Sequence, residues 1–113
     1  KELDVWQRSI DLVVWVYRLA KLFPKHEQYS LISQVQRAVT SIPANIAEGW
    51  GRSSRKEYIY HLTVARGSLM EVETHLIVAQ RLDYISSADL QEVQEEITII
   101  GKMLNRLISS LRT

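Results

Sequence analysis

The stretch Ser41-Ile42-Pro43-Ala44-Asn45-Ile46-Ala47-Glu48-Gly49-Trp50-Gly51-Arg52-Ser53-Ser54 decides the fold. A proline sits inside an apolar helical pattern, a basic turn bounded by glycine follows, and a serine pair is placed to start another helix. Upstream, Ile32, Val35, Val39, Ile42, Ile46 and Gly49 keep a helical phase straight through Pro43. One kinked helix is therefore expected, beginning near Gln28 or Tyr29, with the Val39 carbonyl deprived of its donor. Gly49 or Gly51 is expected to supply a left-handed stop. The other face carries Gln34, Arg37, Ser41, Asn45 and Glu48, a polar ridge read as a structural network that satisfies the freed carbonyl.

Downstream, Ser54-Arg55-Lys56-Glu57 has the spacing of a reciprocal helix cap. From Tyr58 through Leu62, Ala65, Leu69, Val72 and Leu76 to Ala79, apolar residues recur in steps of three and four. That predicts a helix of about 30 residues, or about 45 Å. Ile59, Met70 and Ile77 flank the seam, and Gly67 offers a place for another backbone to come close. Leu82-Asp83-Tyr84-Ile85 turns a corner, Ser86 or Ser87 caps, and a last helix follows Leu90, Val93, Ile97, Ile100, Leu104, Leu107 and Leu111.

The first helix is expected to open at Asp4, with Gln7 reaching back to it, and to close at Phe23 before Pro24. One of its seams reads Leu3, Trp6, Ile10, Val13, Tyr17 and Ala20; a second reads Val5, Leu12, Val16, Leu19 and Phe23. With Val14, Trp15 and Leu22 they make a stripe wider than a bundle core needs. The surplus, taken as Val5, Leu12, Trp15 and Leu19 with Ile59, Met70 and Ile77, is expected to join copies of the chain. Four seams, three short connections and no strand pattern predict an all-α fold. It reads as a single domain over residues 1–113, an antiparallel up-down-up-down four-helix bundle.

In 113 residues, 14 Lys and Arg stand against 13 Asp and Glu, so bulk charge argues for neither nucleic acid nor membrane. The absence of cysteine removes disulfides, thiolate metal sites and cysteine nucleophiles, and fits a cytoplasmic location. The chain begins at Lys1 without a methionine, which leaves a trimmed leader open. Asp11, Arg18 and Lys21 interrupt the apolar run from Ile10 to Phe23, against a membrane span.

Antiparallel packing turns sequence position into spatial position. The start of helix one, the corner between helices two and three, and the end of helix four should share one end, gathering eight cations against four anions. The residues from Asp83 to Glu96 contain no Lys or Arg, so the other end is acidic. Helix-dipole compensation is the plain account of that polarity. The functional account makes Arg52, Arg55, Lys56 and Arg106 phosphate contacts near a helix N-terminus, with Trp50 as a stacking platform for a base. For Trp50 the plain reading is packing on the bundle end.

Catalysis finds little support. His61 and His75 each follow a glutamate by four, whereas dimetal carboxylate bundles need Glu-x-x-His on two helices. Both histidines read as polar-face or subunit-contact residues. Ser41 and His61 with a carboxylate lack anything that fixes a triad or an oxyanion hole. No catalytic residue, metal ligand or cofactor is assigned.

Val5-Trp6-Gln7, Phe23-Pro24, Gln34-x-x-Arg37-Ala38-x-x-Ser41-Ile42, Asn45-Ile46-Ala47-Glu48-Gly49 with Gly51-Arg52, and Gly67-Ser68-Leu69-x-Glu71 carry a resemblance over nearly the whole chain. It resembles the four-helix-bundle proteins encoded in intervening sequences of large-subunit (23S) ribosomal RNA genes. The accessory variability determinants of diversity-generating retroelements look like members of the same family. The resemblance implies a small cytoplasmic homo-oligomer, a pentameric ring favoured. For the retroelement branch it implies binding of nucleic acid and a reverse transcriptase. The chain departs from that branch's strongly basic character with a formal charge of +1, so only a local basic patch repeated around a ring fits. The expected function is non-enzymatic binding of structured RNA or an RNA–DNA hybrid through the basic end. The alternative is a protein-interaction scaffold with no nucleic-acid role.

Overall fold

The computed structural model describes residues 2–112, with side chains from residue 3 onward. Among them the chain forms α1 (Glu2–Ala20), a short 3-10 turn (Lys25–Glu27), α2 (Leu31–Trp50), α3 (Arg55–Arg81) and α4 (Ser87–Arg112), with no strand. The helices pack as a four-helix bundle does. Each contacts its neighbours in the chain and α1 contacts α4, the α1–α4 seam being the slackest. The molecule measures 44 × 25 × 18 Å. Among the described residues no helix is long and apolar enough to cross a membrane.

The helix boundaries have local causes. α2 runs through Pro43, as the apolar phase requires, but starts at Leu31 because residues 25–27 take the tighter turn. The Glu27 carboxylate then acts as its cap, accepting from the Ser30 hydroxyl at 2.6 Å and the Leu31 amide at 3.3 Å. α3 is capped by Ser54, whose hydroxyl oxygen accepts from the Glu57 amide at 3.0 Å. At α4, Ser86 accepts from the Asp89 amide at 3.0 Å and the Asp89 carboxylate accepts from the Ser86 amide at 3.3 Å.

The left-handed glycine stop is not used. Gly51 has φ −77°, and its amide closes α2 on the Ala47 carbonyl at 3.1 Å. The left-handed residue is Asp83, φ 63°, at the end of α3, where the Asp83 and Tyr84 amides reach the Gln80 and Ala79 carbonyls, both at 2.9 Å. This is a Schellman closure on a residue that tolerates the conformation better than most. Gly49 serves a different purpose: a Cβ there would stand 2.8 Å from His61 Cβ and 2.9 Å from Tyr58 Cδ1. It lets α2 and α3 touch. Gly67, expected to play that part, faces open space.

The core corrects the reading of α1. Val5, Leu12 and Leu19, expected between copies of the chain, are 1%, 0% and 7% exposed and pack inside the subunit. Buried Ser9 explains the misreading, because it completes the run Val5–Ser9–Leu12–Val16–Leu19 with a polar residue. Its hydroxyl donates to the Trp6 carbonyl at 2.7 Å, which removes most of the cost of burying it. Of the other seam, Leu3, Ile10 and Tyr17 are exposed, Trp6 and Val13 are half-buried against the core, and Ala20 is buried. α1 also opens before Asp4, and its α-helical bonding stops at Ala20, with single turns carrying the chain to Phe23. Trp15, Ile59 and Ile77 are half-buried, while Met70 is exposed. Opposite α1 lie Val35, Val39, Ile42 and Ile46 of α2, Leu62, Leu69 and Leu76 of α3, and Val93, Ile100 and Leu104 of α4. Each such burial contributes about 1.5–3 kcal/mol.

Candidate nucleic-acid interface

The two ends of α3 have opposite characters. At its C-terminal end the α3–α4 corner meets the α1–α2 corner, with the Tyr84 hydroxyl donating to Glu27 at 2.8 Å and the Phe23 and Tyr84 rings 5.6 Å apart. The Ser30 hydroxyl first, then that of Tyr84, holds the Glu27 carboxyl below the usual range. The same bond, with some desolvation, pushes the Tyr84 phenol up.

At the N-terminal end of α3, Arg55, Lys56 and Ile59 face Leu111 and Arg112 from the last turn of α4. Together they line an open depression of about 540 Å³. Two half-buried apolar side chains form its floor and three cations its rim. Among the described residues no carboxylate forms an ion pair with any of the three. Glu57, the acid in the same turn, bonds the Ser54 hydroxyl. Free amides in the first turn of α3 add to the positive field.

The residues expected to bind nucleic acid are only partly gathered. Arg55 and Lys56 rim the depression. Arg52 is paired with Glu48 one turn back along the chain. Trp50 lies 54% exposed at the end of α2, directly after the glycine that abuts α3. Arg106 lines a separate depression with Met103, Leu107 and Ser110. It sits six residues before Arg112, about 9 Å along the helix. Arg8, one of the cations that the start of helix one was expected to bring to this end, instead places one guanidinium nitrogen 2.9 Å from both Glu96 oxygens. Lys1 lies outside the described residues. Arg112, one of the cations expected at this end, and the 63%-exposed Tyr60 are not among the expected site residues. For Arg112 a signal existed, since in antiparallel packing the end of helix four must meet the start of helix three.

The polar ridge of α2 does bond across to α3. Asn45 Oδ1 and His61 Nδ1 are 3.0 Å apart, Asn45 Nδ2 donates to the Ser41 carbonyl at 2.9 Å, and the Ser41 and Ser68 hydroxyls are bonded. Its backbone acceptors are the carbonyls of Ala38 and Ser41; no bond from the ridge reaches Val39. His75 stands 3.4 Å from Glu71. Among the described residues no three side chains of metal-ligating type converge.

Residues 1–106 match the pattern of a protein family described as the 23S rRNA-intervening sequence proteins. The chain belongs to that family. A solved structure shares its fold: a Bacteroides thetaiotaomicron protein of unknown function, described as of the S23 ribosomal protein family. It is 28% identical, with a TM-score of 0.85 over 92% of this chain and 97% of that one. No curated protein matches. The 23S rRNA-intervening sequence proteins thus supply an rRNA-linked family and a helical fold, and the chemistry must be argued from the side chains.

Proposed function

We propose that this 23S rRNA-intervening sequence protein is a non-enzymatic, cytoplasmic, single-domain bundle that binds structured RNA or an RNA–DNA hybrid at its basic end. One observation carries the reading: Arg55, Lys56 and Arg112 converge on a single depression with no described carboxylate to neutralise them. Clustered like charges repel one another, and a phosphate backbone relieves that repulsion while releasing its counterions. Arg106 extends the patch along α4. Exposed Trp50 and Tyr60 at the same end offer faces on which unpaired bases can stack.

The antiparallel up-down-up-down arrangement on which the patch depends is supported by cross-helix bonds whose partner numbers run in opposite senses. Asn45–His61 and Ser41–Ser68 tie α2 to α3; Arg66–Asn105, Gln94–Glu73 and Gln80–Ser87 tie α3 to α4. Homo-oligomerisation, a pentameric ring by the family resemblance, would repeat the patch and raise a weak single-site affinity by multivalency. Exposed Leu3, Ile10, Tyr17 and Met70 are apolar surface for such contacts. A reverse transcriptase is the partner that the retroelement branch would add.

Fluorescence anisotropy with a labelled RNA hairpin, an RNA–DNA hybrid and a duplex DNA tests the reading. Affinity that weakens steeply with salt and falls in the Arg55→Ala/Lys56→Ala/Arg112→Ala variant is the expected result. Salt-indifferent affinity, or affinity unchanged in that variant, overturns it and leaves a protein scaffold.

A further inference from the structure

The polar ridge between α2 and α3 holds a side chain that the basic depression leaves unused. Asn45 cannot be turned over, because its Nδ2 donates to the Ser41 carbonyl and an oxygen in that place would face another oxygen. Its Oδ1 therefore accepts, so the proton shared with His61, 3.0 Å away, belongs to His61 Nδ1. In the neutral ring that leaves Nε2 a bare acceptor. Nε2 has no hydrogen-bond partner among the described residues and is not closed off from solvent. The acids one turn from His61 and from Asn45 are engaged elsewhere: Glu57 bonds Ser54, and Glu48 pairs with Arg52.

His61 has neighbours that suit a nucleotide. The exposed Tyr60 ring meets it edge to face, with centroids 5.2 Å apart and 76° between the planes. Lys56, on the rim of the basic depression, lies one turn before Tyr60, about 6 Å along α3 and on the same face. We propose that these three side chains seat one unpaired ribonucleotide: Lys56 takes its phosphate, Tyr60 stacks on its base, and His61 Nε2 accepts from its ribose 2′-hydroxyl. A phosphate diester has no hydrogen to give, so what a bare acceptor beside a cationic patch selects is a donor. Every ribonucleotide offers one in its 2′-hydroxyl and a deoxynucleotide offers none there, so the contact tells RNA from DNA without reading sequence. This rests on the nucleic-acid binding proposed above and narrows it to an RNA strand. Asn45 is a positioning residue, acting through His61 by holding the proton on Nδ1.

Competition binding at about pH 8, where a histidine is ordinarily neutral, tests this with the whole chain. Three unstructured strands of one sequence are compared: RNA, its deoxy form carrying uracil, and its 2′-O-methyl form, which keeps the oxygen but has no hydrogen on it. The wild type should bind the RNA roughly fivefold more tightly than either of the others, the worth of about one hydrogen bond. His61→Ala should bind all three alike, Asn45→Leu should lower the preference for RNA, and Tyr60→Ala should weaken all three. Circular dichroism checks the helicity of each variant, and the strand series on the wild type needs no variant to fold. Long-range proton–nitrogen correlation spectra should place the His61 proton on Nδ1. A proton on Nε2, a 2′-O-methyl strand bound as tightly as RNA, or a preference that survives His61→Ala overturns the proposal. A donor on the base edge would produce the last pattern's counterpart, equal losses for RNA and DNA in His61→Ala, and overturns it too. Each of these results is compatible with salt-dependent binding through Arg55, Lys56 and Arg112, whereas a wild type that binds none of the strands fails on both counts, so the two failures are distinguishable.

Discussion

Where the two corners meet, Glu27 accepts from Ser30, Leu31 and Tyr84, and the Phe23 ring packs on that of Tyr84. At the far end of α3, by contrast, Arg55, Lys56 and Arg112 face one another with no described carboxylate between them, and Trp50 lies half in solvent. The first end uses its polar groups to hold the chain together. The second holds charge that the fold does not need, and surplus charge in one place is what a polyanion can use. Stability should therefore concentrate at the corner end and binding at the basic end.

The sharpest way to break that contrast is to truncate an aromatic at each end. Phe23→Ala, at a site 5% exposed, should cost about 3–5 kcal/mol in chemical denaturation. Trp50→Ala should stay within about 0.5 kcal/mol of wild type. Equal losses would abolish the distinction. Next in size is an exception near the basic end, where α2 and α3 touch at Gly49: Gly49→Val should cost about 1–3 kcal/mol by forcing the helices apart. Gly67→Ala, in open space within α3, should instead stabilise by about 0.4–1 kcal/mol.

Local chemistry was legible in the sequence wherever a few adjacent residues settled the outcome. The Ser54-x-x-Glu57 cap and the helix through Pro43 are examples. Ser86-x-x-Asp89 has the same kind of spacing. Arg52 is another, since its glutamate partner stands four residues earlier, the spacing at which helical side chains meet. The phase of α1 was not legible, because Ser9 occupies a core position that a pattern of apolar residues omits. The α3 stop was legible as a corner at Leu82-Asp83-Tyr84-Ile85, but not the left-handed conformation that Asp83 adopts there. At the basic end, Arg55 and Lys56 could be read from the turn itself. Arg8 could not be discounted without knowing that Glu96 lies beside it, and that contact spans 88 residues of chain.

A smaller effect sharpens the contrast through pH. Glu27 has its pKa lowered in the fold, so its contribution is fully present above the usual carboxylate range. It is lost as pH falls through the lowered value. Tyr84, with its pKa raised, contributes stability that is fully present below the usual phenol range and is lost as pH rises through the raised value. Tyr84→Phe removes the shared hydrogen bond, so thermal melts in acid should show a shallower loss of stability than wild type. A profile unchanged by that substitution would mean that the corner does not rely on the bond.

The decisive measurement joins stability and binding in one protein, the Arg55→Ala/Lys56→Ala/Arg112→Ala variant. Its melting temperature should equal or exceed the wild-type value, since repulsion is relieved. The slope of log affinity for an RNA hairpin against log salt should become shallower by roughly 2 to 3, one phosphate contact per cation removed. A variant that melts early while keeping its full salt slope would contradict the account, because those cations would then belong to the fold.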